Sequence, residues 1–120
     1  MIELLSNVPP NVIGFKATGE VTKGDYDDVV FPQIEKHLDE GFKLNYVFVI
    51  DTSLKNFTAA AWMQDAWLGL KKIAKWRKVA IVSDLESVRK FTDSLSHFVP
   101  GEYKGFTSFE LSNAVIWAAA

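Results

Sequence analysis

The stretch YVFVIDTSLKNFTAAAW, residues 46–62, decides the fold. Together with Leu44 and Asn45, its first half makes LNYVFVI (44–50), a nearly continuous β-branched and aromatic run of the kind found in strands buried on both faces. One face carries Leu44, Tyr46, Phe48 and Ile50 and the other Asn45, Val47, Val49 and Asp51, so both centres are apolar. Such a strand belongs in the middle of a sheet. Either helices cover both faces or a second protein chain covers an open one. The run ends at Asp51, passes through hydroxyl and amide side chains, and turns helical at Thr58, an N-cap followed by good helix formers.

Upstream, IELL (2–5) and VIGFKAT (12–18) read as short strands joined by SNVPPN, in which Asn7 and Asn11 flank two prolines of fixed φ. A β-hairpin therefore opens the chain. Gly19 ends its second strand, and Thr22 with Asp25 offers the start of a helix that runs to Glu40 and stops at Gly41. Pro32 inside it removes the hydrogen bond to the carbonyl four residues back. The helix should kink or break near residues 28–32, as a short first turn followed by a helix from about Phe31.

Downstream, Thr58 to Trp76 has two apolar stripes. Trp62, Ala66, Gly69, Ile73 and Trp76 form one, and Met63, Trp67, Leu70 and Ala74 the other. Together they span about half the circumference, wider than the ~100° a surface helix needs to dock once. KVAIVSD (78–84) is another buried strand. From Leu85 to Val99, Val88, Phe91, Leu95 and Phe98 make an amphipathic helix closed by Pro100 and Gly101. YKGFTSFE (103–110) is a last strand and 111–120 a last helix. The order β-β-α-β-α-β-α-β-α predicts a single α/β domain over 1–120: a five-stranded, mostly parallel sheet with right-handed crossovers and an antiparallel N-terminal edge strand.

A chain of 120 residues buries roughly two-thirds of the surface its unfolded form exposes, enough for one core. With 48% apolar residues, four Trp and nine Phe, it is not a disordered chain. The net charge of −2, with basic residues spread along the chain, argues against a nucleic-acid partner. Lys71, Lys72, Lys75, Arg77 and Lys78 form the one basic cluster. It reads as a solvated helix end suited to the macrodipole, or as a contact for anionic lipid or an acidic partner. There are no cysteines, which excludes disulfides and thiolate chemistry. MIELLSNVPP lacks the regions of a signal peptide, and no apolar run reaches the ~18 residues of a membrane span. The expected location is cytoplasmic.

In open α/β sheets ligands sit beyond the carboxyl ends of the strands. That brings Asp51–Thr58, Ser83–Glu86 and Gly19–Gly24 to one edge. Asp51 and Asp84 could pair around a metal, but no second acid stands beside Asp51, and carboxylates at such turns commonly cap backbone N–H groups. There is no G-x-S-x-G, no phosphate-binding glycine motif and no set of zinc ligands, and His37 and His97 read as surface or half-buried helix residues. No catalytic residue, metal or cofactor is expected. Ser53 and Thr58 are candidate phosphorylation sites, because a helix N-terminus tolerates a phosphate of about −1.5 to −2 charge; capping alone would also explain Thr58. The wide aromatic stripe either fills the core or lines an apolar cleft between the second and third helices, with Trp62, Met63, Trp67 and Leu70 facing Phe91, Leu95 and Phe98.

With that order established, the chain resembles the SpoIIAA-like family of small bacterial proteins, in the superfamily of anti-sigma-factor antagonists and the STAS domains of anion transporters. The likeness runs through the opening hairpin, DYDDVVFPQIEKHLDEG with its mid-helix proline, YVFVIDTSLKNFTAAAWMQD, WRKVAIVSD and FELSNAVIWAAA. In anti-sigma-factor antagonists the strand-to-helix loop carries a D-S-S-G-like motif whose second Ser is phosphorylated. Thr58 would be its counterpart, with Asn56 and Phe57 where the motif has Asp and Ser, and Ala59 where it has Gly. Only the hydroxyl is kept. The branch is also similar to the lipid-binding domain of CRAL-TRIO proteins, whose helices part to admit an apolar ligand.

The resulting expectation is a non-enzymatic, cytoplasmic, homodimeric domain that binds an apolar small molecule or lipid, with peripheral membrane association, at the cleft of the second and third helices. The alternative is a protein-partner regulatory domain switched at Ser53–Thr58.

Overall fold

The computed structural model describes residues 1–58, 61, 75–97 and 101–120. Five strands, β1 (Ile2–Leu4), β2 (Ile13–Thr18), β3 (Leu44–Asp51), β4 (Trp76–Val82) and β5 (Glu102–Phe106), lie in the order 1-2-3-4-5. β1 is antiparallel to β2 and every other pair is parallel. The 44–50 run is indeed the central strand.

The hairpin turn is held by Asn7 at φ 58°, a left-handed position that Asn tolerates through local hydrogen bonding. After β2, Thr22 and Asp25 cap each other's backbone N–H groups in a reciprocal box and start α1 (Lys23–Asp25). A π-turn over Tyr26–Val30 comes next, closed by the Phe31 N–H donating to the Tyr26 carbonyl, and then α2 (Phe31–Asp39). The kink expected from Pro32 takes this form: without its N–H the α-ladder is interrupted, and one wider turn absorbs the break. Gly41, at φ 92°, ends the helix in a conformation that disfavours any side chain.

Consecutive parallel strands joined by same-handed crossovers place their helices on one face. Tyr26, Val30 and Ile34 pack there against Phe15, Ala17, Tyr46 and Phe48. Tyr46 is the hub, with Phe15 at 5.9 Å, Phe48 at 6.0 Å and Trp76 edge-on at 5.3 Å; each ring pair adds about 0.5–1.5 kcal/mol beyond area burial. α3 (Glu86–Ser94), extended by a 3-10 turn Leu95–His97, lies on the same face against β5. A capping box between Thr107 and Glu110 opens a 3-10 turn (Ser108–Glu110) that leads into α4 (Leu111–Ala119), which folds back on the opposite face. There Ala114 and Ala118 let it sit close to Val47, Val49, Ala80 and Val82.

Several boundaries differ from the sequence reading. Trp76 is not the end of a helix but the first residue of β4. Leu44 pairs with Trp76 and Asn45 with Lys78, so Arg77 is an extra residue in the strand. The bulge breaks the alternation of faces. Trp76 therefore joins Tyr46 on one side, while Arg77 reaches Asn45 Oδ1 (3.0 Å) and the Ala120 carbonyl (2.8 Å) on the other. The adjacent Lys78, only 9% exposed, donates to the Trp117 carbonyl at 2.9 Å. Arg77 and Lys78 are thus not a solvated helix end; they satisfy the carboxyl end of α4, where cations are favoured. Lys75 is exposed, and Lys71 and Lys72 lie outside the described residues. The last strand ends at Phe106, because Thr107 caps the 3-10 turn that leads into α4. His37 is buried, stacked on Phe42 at 5.1 Å and donating through Nε2 to the Lys43 carbonyl, while His97 is exposed. The expected helix from Thr58 is described only at Ala61, which is helical.

Candidate functional site

The carboxyl edge of the sheet is built around the 51–58 loop. β3 ends at Asp51, and a 3-10 turn over Leu54–Asn56 swings the chain across to residue 57. Phe57 is buried in the main core, and it forms a parallel bridge with Val21. The Val21 N–H donates to the Asn56 carbonyl and the Thr58 N–H to the Val21 carbonyl, each at 2.9 Å. Thr52 Oγ1 donates to the Gly19 carbonyl, and Asn56 Nδ2 donates to Thr52 Oγ1. The loop is therefore stapled to the 19–22 segment along its length. Thr58 Oγ1 accepts from the Ala61 N–H at 3.1 Å, which is the N-cap read from the sequence. Ser53 is exposed and Thr58 half-buried.

Asp51 and Asp84 do stand at one edge, lining a small groove with Lys16 and Ser108. Asp51 faces Lys16 Nζ at 3.6 Å. Asp84 accepts from the Ser108 N–H at 3.3 Å. The Ser108 hydroxyl, and then its N–H, hold the Asp84 carboxyl below the usual carboxylate range. Each acid thus has a structural partner, as a turn carboxylate would, and among the described residues no three His, Cys, Asp or Glu side chains gather around a possible metal position.

A different feature dominates the helix-covered face. Between α3 and the sheet lies an apolar cleft of about 460 Å³. Its floor is Phe48 and Ile50 of β3 with Ile81 of β4; Leu54 and Phe57 of the loop close one side; Val88 and Phe91 of α3, with Leu95 of the 3-10 turn that extends it, form the wall. Ser87 and Thr92 are the polar residues among the described lining, and the Thr92 hydroxyl is turned back to the Val88 carbonyl at 2.8 Å. The wall residues recur every three or four positions, which keeps them on one helix face over about two turns. Phe91 stands 66% exposed at the mouth.

Of the side chains expected at a cleft, Phe91 and Leu95 line this one. Trp62, Met63, Trp67, Leu70 and Phe98 lie outside the described residues. Sequence reasoning misses the floor and the loop side, although part of a signal is present: Phe48 and Ile50 share one face of β3, and Ile81 pairs with Phe48 on the neighbouring strand. Phe57, by sequence only a loop residue, is the loop's apolar anchor. No helix among the described residues is long and apolar enough to cross a membrane.

A crystal structure of an uncharacterised protein of the DUF3478 family with a SpoIIAA-like fold, from Shewanella loihica PV-4, is similar to this chain with a TM-score of 0.72. The two are 24% identical, and the match covers 98% of this chain and 93% of that one, which shows a shared fold. No curated protein matches the chain. The SpoIIAA-like family model matches residues 12–119, every element from β2 to α4, and the chain therefore belongs to the SpoIIAA-like family.

Proposed function

We propose that this domain acts by binding rather than by catalysis, and that its ligand is a small apolar molecule, an acyl chain or a group of similar shape, held in the cleft under α3. The observation that supports this reading is the composition of that cleft: eight of its ten described lining residues are apolar, and its volume of about 460 Å³ falls in the range of about 300–1,000 Å³ typical of small-molecule pockets. A ligand in such a cleft removes apolar surface from solvent, at about 25 cal/mol per Å². A ligand of this kind is collected from a membrane, so transient peripheral association at a cytoplasmic membrane surface is part of the proposal. Native mass spectrometry of gently purified protein should show a bound lipid or other apolar adduct, and flotation should show association with liposomes. Bare protein in both experiments would overturn the reading.

A protein-partner switch at the 53–58 loop has one point in its favour, the exposed Ser53. Thr58 supports it less, because its hydroxyl is engaged in the cap to Ala61. Absence of phosphate on Ser53 and Thr58 in cells, with unchanged partner binding by Thr58→Glu, would dispose of it.

A further inference from the structure

We propose that the outer face of α4, with the neighbouring Leu5–Pro9 turn, is a self-association surface on which a second copy of this chain docks about a two-fold axis. Ala114 and Ala118 face the sheet and are fully buried, so Ile116, two residues from each, points the opposite way and is 67% exposed. Phe109, two turns earlier, is 97% exposed. α4 reads LSNAVIWAA, with Ser112 and Asn113 its sole hydroxyl and amide side chains and no charge. Ser112 and Asn113 are exposed one turn before Ile116, so the side of α4 turned away from the sheet is uncharged and partly apolar.

Charge decides the occupant. Residues 4–15 and 111–120 contain no ionisable side chain, in a chain of net charge −2. A membrane-surface helix would carry Lys or Arg along its polar edge, and a strongly charged partner would find no opposite charge to meet. An identical neutral patch meets itself without like-charge repulsion. Shape agrees: the turn and α4 enclose a groove of about 460 Å³ between Leu5, Val8 and Val115, with Ile116 standing at its rim. In a two-fold contact the same patch faces itself, so the Ile116 of each copy enters the groove of the other. This surface lies on the opposite face of the sheet from the α3 cleft, so either proposal can fail alone.

The test is sedimentation velocity of the full chain over a dilution series, with Ile116→Lys, Phe109→Lys and Phe91→Lys. The wild type should be a dimer that dissociates on dilution. Ile116→Lys should weaken the dimer at least about tenfold, equivalent to about 1.4 kcal/mol, with unchanged circular dichroism, and Phe91→Lys on the other face should remain dimeric. A wild-type monomer throughout, a dimer indifferent to both Ile116→Lys and Phe109→Lys, or vesicle binding lost in Ile116→Lys without any dimer would overturn the proposal.

Discussion

Gly105 of β5 lies directly beneath the backbone of Arg89 in α3: a Cβ there would stand 2.6 Å from the Arg89 Cα and 2.8 Å from its carbonyl oxygen. Around this contact Asp93 accepts the Gly105 N–H at 2.7 Å, and the Arg89 Nη1 donates to the Ser83 carbonyl at 2.7 Å. α3 is thus fastened over the edge strand, beside the cleft that Phe48, Ile50 and Ile81 help to line. Gly105→Ala should destabilise the fold by about 1–3 kcal/mol, the usual cost of overpacking. The urea midpoint measures it, and an unchanged midpoint would mean that α3 is free to shift.

Lys78 should matter as a structural cation. It is nearly buried, donates to the Trp117 carbonyl and lies 5.1 Å over the ring of the same residue. Lys78→Met keeps the packing volume but leaves that carbonyl unpaired, and should cost roughly 1–3 kcal/mol. Arg77→Met, at a more exposed position, should cost less. Chemical denaturation of both variants ranks them.

Thr58→Ala should lower stability by about 1 kcal/mol through loss of the cap, and Thr58→Ser should restore most of it. Thermal melts of the three proteins test this directly. A larger loss in Thr58→Ser than in Thr58→Ala would contradict the capping role.

Acid should loosen the attachment of α4. The Thr107 N–H, and then its hydroxyl, hold the Glu110 carboxyl below its ordinary value, and Ser108 does the same for Asp84. Both groups bind protons less readily in the folded state than in the unfolded one. Their stabilisation is therefore present above the ordinary carboxylate range and is lost as pH falls through the depressed folded values. Glu110→Gln and Asp84→Asn should each flatten the acid limb of a pH–stability curve.

Much of this architecture is legible in the sequence because its signals are local. The 44–50 run marks a central strand, Thr22 with Asp25 marks a helix start, and Pro32 marks an interruption at the right turn. The misread boundaries arise where tertiary structure overrides the pattern. Nothing in RKVAIV announces the Arg77 bulge, and without it the alternation rule puts Trp76 and Lys78 on the same face. The cleft is half legible: helical spacing exposes Phe91 and Leu95, but the floor depends on which strands are neighbours and the loop side on where Phe57 turns. For Arg77 and Lys78 the expectation of a solvated helix end fails because their partner is the far end of α4, about forty residues away in sequence.

The most direct test is an equilibrium titration of delipidated protein with a fluorescent fatty acid, comparing wild type with Phe91→Asp at the cleft mouth and Ile116→Asp on the opposite face. Phe91 is exposed, so its replacement should leave the fold intact while placing a charge at the mouth of the cleft. Saturable binding by the wild type and Ile116→Asp, weakened at least about tenfold in Phe91→Asp, is the expected result. No binding by the wild type, or equal binding by all three proteins, would contradict the assignment of the α3 cleft as an apolar-ligand site.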